Sequence, residues 1–151
     1  MKPIKIIADS TCDLSPELVK EFDIAVCPLQ VNMGEESRLD GVDVTPDEIY
    51  EWADKNNKTP TTSAPSPEAI SNILKQYSDE NDIIVFTISS EMSSTYQIFC
   101  AQASEIEGAR ITVIDSRNLS TGIGLQVLTA AKMGRDGADY DSIINEIHDV
   151  T

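Results

Sequence analysis

An α/β fold, with a mostly parallel sheet and helices on both faces, is predicted by three features of this sequence. Short apolar runs of strand length alternate with helical patterns along the 151 residues, as in sheets built from crossover units. Three of those runs end in small polar residues: Asp9-Ser10-Thr11, Ser89-Ser90 and Asp115-Ser116. Several helical patterns open on a hydroxyl residue followed by proline, as at Ser15-Pro16, Thr45-Pro46 and Ser66-Pro67. Proline fits the first helical position because its missing N–H would be unpaired there anyway.

Taken in order, residues 4–8 are an apolar strand and 14–22 a short helix behind Ser15. Residues 24–31 form the next strand candidate, and 34–41 are polar and turn-like. Thr45-Pro46-Asp47-Glu48 is a capping box that opens a helix to about residue 54. Ser66-Pro67-Glu68 opens another, to about residue 77. A strand over 83–88, a helix over 93–105 and a strand over 110–114 follow. Helical patterns over 122–133 and 141–150 close the sequence, with no capping glycine after the last and the stop resembling an edge.

Composition excludes several function classes. The chain carries 26 acidic and 11 basic residues, for a net charge of −15, which opposes the basic face that nucleic acid requires. No apolar run approaches the roughly 18 residues of a membrane span. Met1-Lys2-Pro3 leads into a strand without a signal-peptide core, so a cytoplasmic location is expected. Cys12, Cys27 and Cys100 are odd in number and lack CxxC spacing, which fits reduced, mostly buried thiols. A metal site needs about four clustered ligands, and none is expected.

Catalytic chemistry is hard to build from these residues. His148 is the only histidine, between Ile147 and Asp149 on the last helical pattern, and reads as solvated. No GxSxG turn supports a nucleophilic serine. Thr121-Gly122-Ile123-Gly124 fits neither GxGxxG nor GxxxxGK[ST]; its small residues instead suit close packing of a helix on the sheet.

Two hydroxyl clusters stand out: Pro60-Thr61-Thr62-Ser63-Ala64-Pro65-Ser66-Pro67 and Ser89-Ser90-Glu91-Met92-Ser93-Ser94-Thr95-Tyr96. Each precedes a helix, whose free N–H groups and partial positive charge favour an anion. Ser66 reads as a plain N-cap, but Thr62 and Ser63 lie too early to cap that helix. Ser89, Ser90, Ser93 and Ser94 are too many for one cap. With no basic residue in either cluster, a small anionic head group fits better than a polyanion. In an open parallel sheet, ligands bind beyond the strands' carboxyl ends, where these groups converge.

These motifs give the chain its resemblance. The opening Ile6-Ile7-Ala8-Asp9-Ser10-Thr11-Cys12-Asp13-Leu14, the Thr62-Ser63-Ala64-Pro65-Ser66 loop, Ile88-Ser89-Ser90-Glu91-Met92-Ser93-Ser94-Thr95-Tyr96-Gln97, and Asp115-Ser116 with Gly122-Ile123-Gly124 resemble the DegV family of bacterial fatty-acid-binding proteins. Family members have two lobes, and residues 1–151 resemble the amino-terminal one. The resemblance implies a long-chain fatty acid held between lobes, its carboxylate bound by Thr62 and Ser93, with Ser94 beside them. Ser10, Ser63 and Ser116 are expected around the same pocket. It further implies a carrier without catalytic residues or cofactor, which presents the acid to a separate fatty acid kinase subunit for acyl-phosphate formation in phospholipid synthesis. The rival reading is an enzyme acting on a small phosphorylated or carboxylated metabolite at the strand ends. Two positions depart from the family pattern: Ala64 replaces a glutamine and Ser94 a glycine. If the backbone there takes a positive φ, Ser94 costs about 1 kcal/mol.

Overall fold

Apolar residues on both faces of successive strands call for cover on both sides, and the chain supplies it. The computed structural model describes residues 2–151. Strands β1 (Ile4–Asp9), β2 (Ala25–Cys27), β6 (Asp82–Thr87) and β7 (Ile111–Asp115) form one sheet in the order β2-β1-β6-β7. Every pairing in it is parallel. Alternation divides the side chains between two cores. Ile6, Ala8, Ile84 and Phe86 pack against α5 (Thr121–Arg135) and α6 (Tyr140–Val150), through Ile123, Val127, Ile143 and Ile147. Ile7, Ile83 and Val85 face Ile70 and Leu74 of α3 (Pro67–Ser78) and Phe99 of α4 (Thr95–Ser104). The predicted α/β architecture is therefore present.

The expected helix starts are present, because each is local chemistry. The Ser15 hydroxyl accepts from the Leu18 N–H ahead of α1 (Pro16–Glu21). Thr45 and Glu48 make both halves of the capping box before α2 (Pro46–Asn56). The Ser66 hydroxyl accepts from the Ala69 N–H at 3.1 Å. Ser66→Ala is expected to lower stability by about 1 kcal/mol. The check is a shifted urea midpoint at unchanged slope.

The second sheet was not foreseen. The strand expected over 24–31 breaks at Pro28-Leu29 into β2 and β3 (Gln30–Met33), which belong to different sheets. Proline has no N–H for a ladder, and the Leu29 N–H is diverted to the Ser10 hydroxyl. Residues 34–41, expected as a turn, contain β4 (Glu36–Leu39) after a tight bend at Gly34, where φ is +69°. The Thr61 cluster, expected as a loop, contains β5 (Thr61–Ser63). These form an antiparallel sheet in the order β4-β3-β5. Val31 and Met33 pack under α2, with Val44 and Trp52.

Gly124 does pack closely, though against the Ser10–Cys12 turn that follows β1 rather than on the sheet itself. A Cβ there would lie 2.9 Å from the Cys12 carbonyl oxygen, a contact with no flexible neighbour to yield. Cys12 and Cys27 are buried and Cys100 is half-buried, all unpaired. Burial pushes the Cys27 thiol up to about 12, with the nearby Asp9 adding to the shift. His148 is exposed.

Candidate functional site

Three strand ends and one small sheet converge on a cavity of about 360 Å³. Its walls come from Thr11 after β1, Leu29 between β2 and β3, and Asp40 after β4. Thr62 and Ser63 contribute from β5 and Ala64 from just after it, and Ile88, Met92, Ser93 and Ser94 from the β6–α4 connection. The two hydroxyl clusters, some thirty residues apart in sequence, thus share one space. None of the lining residues is basic.

The hydroxyls in this cavity are oriented by their neighbours. Asn32 on β3 donates to the Ser63 oxygen at 3.3 Å and to Thr61 at 3.4 Å, while its own oxygen accepts from Ser37 at 2.7 Å. Because Ser63 accepts from Asn32, its proton remains available to a ligand. The Thr95 N–H donates to the Ser93 oxygen at 3.2 Å, and the Ser93 and Thr95 hydroxyls pair at 2.8 Å. With Thr95 as donor in that pair, Ser93 also aims its proton outward. Among the described residues, no side-chain partner is found for Thr62, and Ser94 makes no side-chain cap on α4. The first turn of α4 therefore opens beside hydroxyl donors, an arrangement that favours an anion.

Helix α4 begins at Thr95 rather than at residue 93, so Ser93 and Ser94 stand ahead of it. Ser94 has φ −79°, so the penalty attached to a positive φ does not arise. Two of the expected pocket residues are placed elsewhere. The Ser10 oxygen accepts from Leu29 at 3.0 Å, outside the lining. Ser116 is fully buried; its hydroxyl donates to the Asn118 carbonyl and accepts from the Asn118 N–H. Sequence reasoning brought Thr11 to this edge among the polar strand ends, but missed Asn32 and Asp40. Asn32 did leave a signal: a polar residue alternating with Val31 and Met33 must face the other side of its strand.

Carboxylates brace the connection that carries Ser93. The Ser90 N–H donates to Asp115 at 3.1 Å, and the Ser90 hydroxyl donates to its other oxygen. Burial raises the Asp115 pKa, but bonds from Ser90 and the Arg117 N–H outweigh it and leave the group below its usual value. The Ser89 N–H donates to the Asn118 carbonyl at 3.0 Å.

Among the described residues, no group of three or more His, Cys, Asp or Glu is placed to hold a metal ion. Nor is any described helix long and apolar enough to cross a membrane. A larger hollow of about 650 Å³ lies by the amino-terminal end of β1 and the carboxyl-terminal end of α5, away from both hydroxyl clusters.

Comparison with known proteins gives this geometry a context. The family model for uncharacterised proteins of the DegV family matches residues 3–151. A DegV domain-containing protein of Clostridium perfringens is 43% identical over 148 residues, covering 97% of this chain and 53% of that protein. The solved structure of a DegV family protein from Thermus thermophilus, described by its fatty acid binding, superposes with a TM-score of 0.91 at 31% identity. That match covers 99% of this chain and 53% of the other. A stearic acid-binding protein from Eubacterium ventriosum superposes at 0.90 with 30% identity, covering 96% of this chain and 52% of its own. The chain thus spans about half the length of the relatives it matches.

Proposed function

The chain belongs to the DegV family, and from that premise we propose that it is the amino-terminal lobe of a fatty-acid carrier. In this reading Thr62 and Ser93 donate to the carboxylate of a long-chain fatty acid, with Ser63 and Ser94 beside them. The acyl tail runs toward a second lobe. The chain performs no chemistry of its own and presents the carboxyl group to a separate fatty acid kinase subunit, which forms the acyl phosphate.

The observation that carries this is the shared cavity: two remote clusters of hydroxyl donors facing one space whose lining has no basic residue. Neutral donors suit a monoanion that must later leave, since each hydrogen bond to a charged group is worth roughly 1.5–3 kcal/mol. A polyphosphate would call for Lys or Arg. The apolar lining residues Leu29, Ile88 and Met92 add a surface for the start of a tail. At about 360 Å³ the cavity is at the small end for a whole ligand, as expected of half a site.

The test is mass spectrometry of organic-solvent extracts of the full-length protein, together with a turnover assay. A bound long-chain fatty acid is the expected result, with acyl phosphate appearing only when a kinase subunit and ATP are added. Recovery of a polar metabolite instead, or turnover by this protein alone, would overturn the carrier reading.

A further inference from the structure

We propose that Asp9 is a positioning residue, which fixes the spacing between the two walls of the head-group cavity. This rests on the fatty-acid reading above and adds to it a residue that does not touch the ligand. Asp9 is the last residue of β1 and is fully buried. One of its carboxylate oxygens accepts from the Thr11 N–H at 2.9 Å and from the Thr11 hydroxyl. The other accepts from the Ile88 N–H at 2.7 Å. Thr11 and Ile88 both line the cavity, on the ends of neighbouring strands.

The paired register of β1 and β6 runs only to Ala8 and Phe86. Beyond it no backbone ladder joins the two strands, and the Asp9 carboxylate takes over as the tie. A capped turn alone would occupy one oxygen, as Ser15 and Ser66 do with a single hydroxyl. The second oxygen reaches across to the adjacent strand, at the start of the connection that carries Ser93. Asp115 and the Asn118 carbonyl pin that connection further along, at Ser90 and Ser89. Asp9 therefore sets where it leaves the sheet.

Electrostatics speaks against a direct role. A second negative charge beside an anionic head group is unfavourable, and burial already raises the Asp9 pKa against the bonds from Thr11 and Ile88. The contribution of Asp9 is geometric. Asparagine has nearly the same shape but only one accepting oxygen. In Asp9→Asn either the Thr11 turn or the Ile88 connection loses its acceptor, and the hydroxyl donors no longer converge.

The experiment uses the full-length protein, titrated by amide NMR with decanoate and, separately, with decanol. The two probes share a tail and differ in head group, so the ratio of their affinities reports head-group positioning. A destabilised fold would weaken both alike. Asp9→Asn is expected to cut the preference for decanoate about tenfold or more while changing decanol binding by less than about twofold. If the variant does not fold, the wild-type titration still decides: the Thr11 and Ile88 amides should shift with decanoate and much less with decanol. A wild-type preference that survives in Asp9→Asn overturns this inference alone, as do Thr11 and Ile88 amides indifferent to decanoate. A wild-type chain with no preference for decanoate overturns the head-group reading and this inference with it.

Discussion

Thr62→Val should weaken binding of a long-chain fatty acid by about 1.5–3 kcal/mol, some ten- to over a hundredfold, and leave the fold intact. The side chains have nearly the same shape, and valine is at home in a strand. Thr62 pairs with Val31 on β3 and is exposed, so no buried group loses a partner. What disappears is one donor to a charged acceptor, the strong class of hydrogen bond. Thr61→Val is the control. Its side chain faces Asn32 at 3.4 Å and does not line the cavity, so affinity should stay within about twofold of wild type. Calorimetry with palmitate on the full-length protein measures both. Equal affinities for Thr62→Val and wild type would remove Thr62 from the site.

The difference between Thr61 and Thr62 also marks the limit of what the sequence discloses. Both belong to one hydroxyl cluster, and only the pairing of β5 with β3, which sets Thr61 against Asn32 and leaves Thr62 in the cavity lining, separates them. That pairing joins residues some thirty positions apart and has no local signature. The break at Pro28-Leu29 does have a local mark, a proline that cannot join a ladder, but the assignment of its two sides to different sheets has none. Only the tertiary bond from the Leu29 N–H to Ser10 shows the chain leaving one sheet for the other. Helix starts were legible because Ser15, Thr45 and Ser66 act within their own first turns. The parallel sheet was legible because strands buried on both faces form continuous apolar runs.

Within the site, the sequence marked both hydroxyl clusters, but not which hydroxyls are free. Ser116 was expected around the same pocket as Ser93, since it too follows a strand end. The structure shows the Ser116 hydroxyl buried and bonded to Asn118, while Ser93 accepts from the Thr95 N–H and lines the cavity. Asp40 escaped notice because its place depends on how β4 ends relative to β5, a matter of long-range pairing.

The largest expected effect concerns the tail. A long-chain acid with about fourteen buried methylenes gains about 11 kcal/mol, at about 0.8 each, several times the worth of any one hydroxyl. Affinity therefore depends on how much of the tail is covered. On this chain the apolar lining of the cavity is limited to Leu29, Ala64, Ile88 and Met92. Met92 is 59% exposed, and Leu119 and Leu125, in and after the connection that bonds to Ser89, are 49% and 67% exposed. Such residues around the strand ends fit a face that another lobe covers, and the matched relatives are about twice as long. If this lobe buries half of the methylenes, on the order of 5 kcal/mol is forfeited, more than a thousandfold in affinity. The 151-residue chain should then fold, since both cores of its parallel sheet are complete within it. It should bind palmitate or oleate only weakly, and its uncovered face should take up a hydrophobic dye or self-associate. Titration with a fluorescent fatty acid, alongside a measurement of molecular mass, is the direct trial. Submicromolar binding by the monomer would mean that this lobe encloses the tail by itself, and the two-lobe clamp would have to be abandoned.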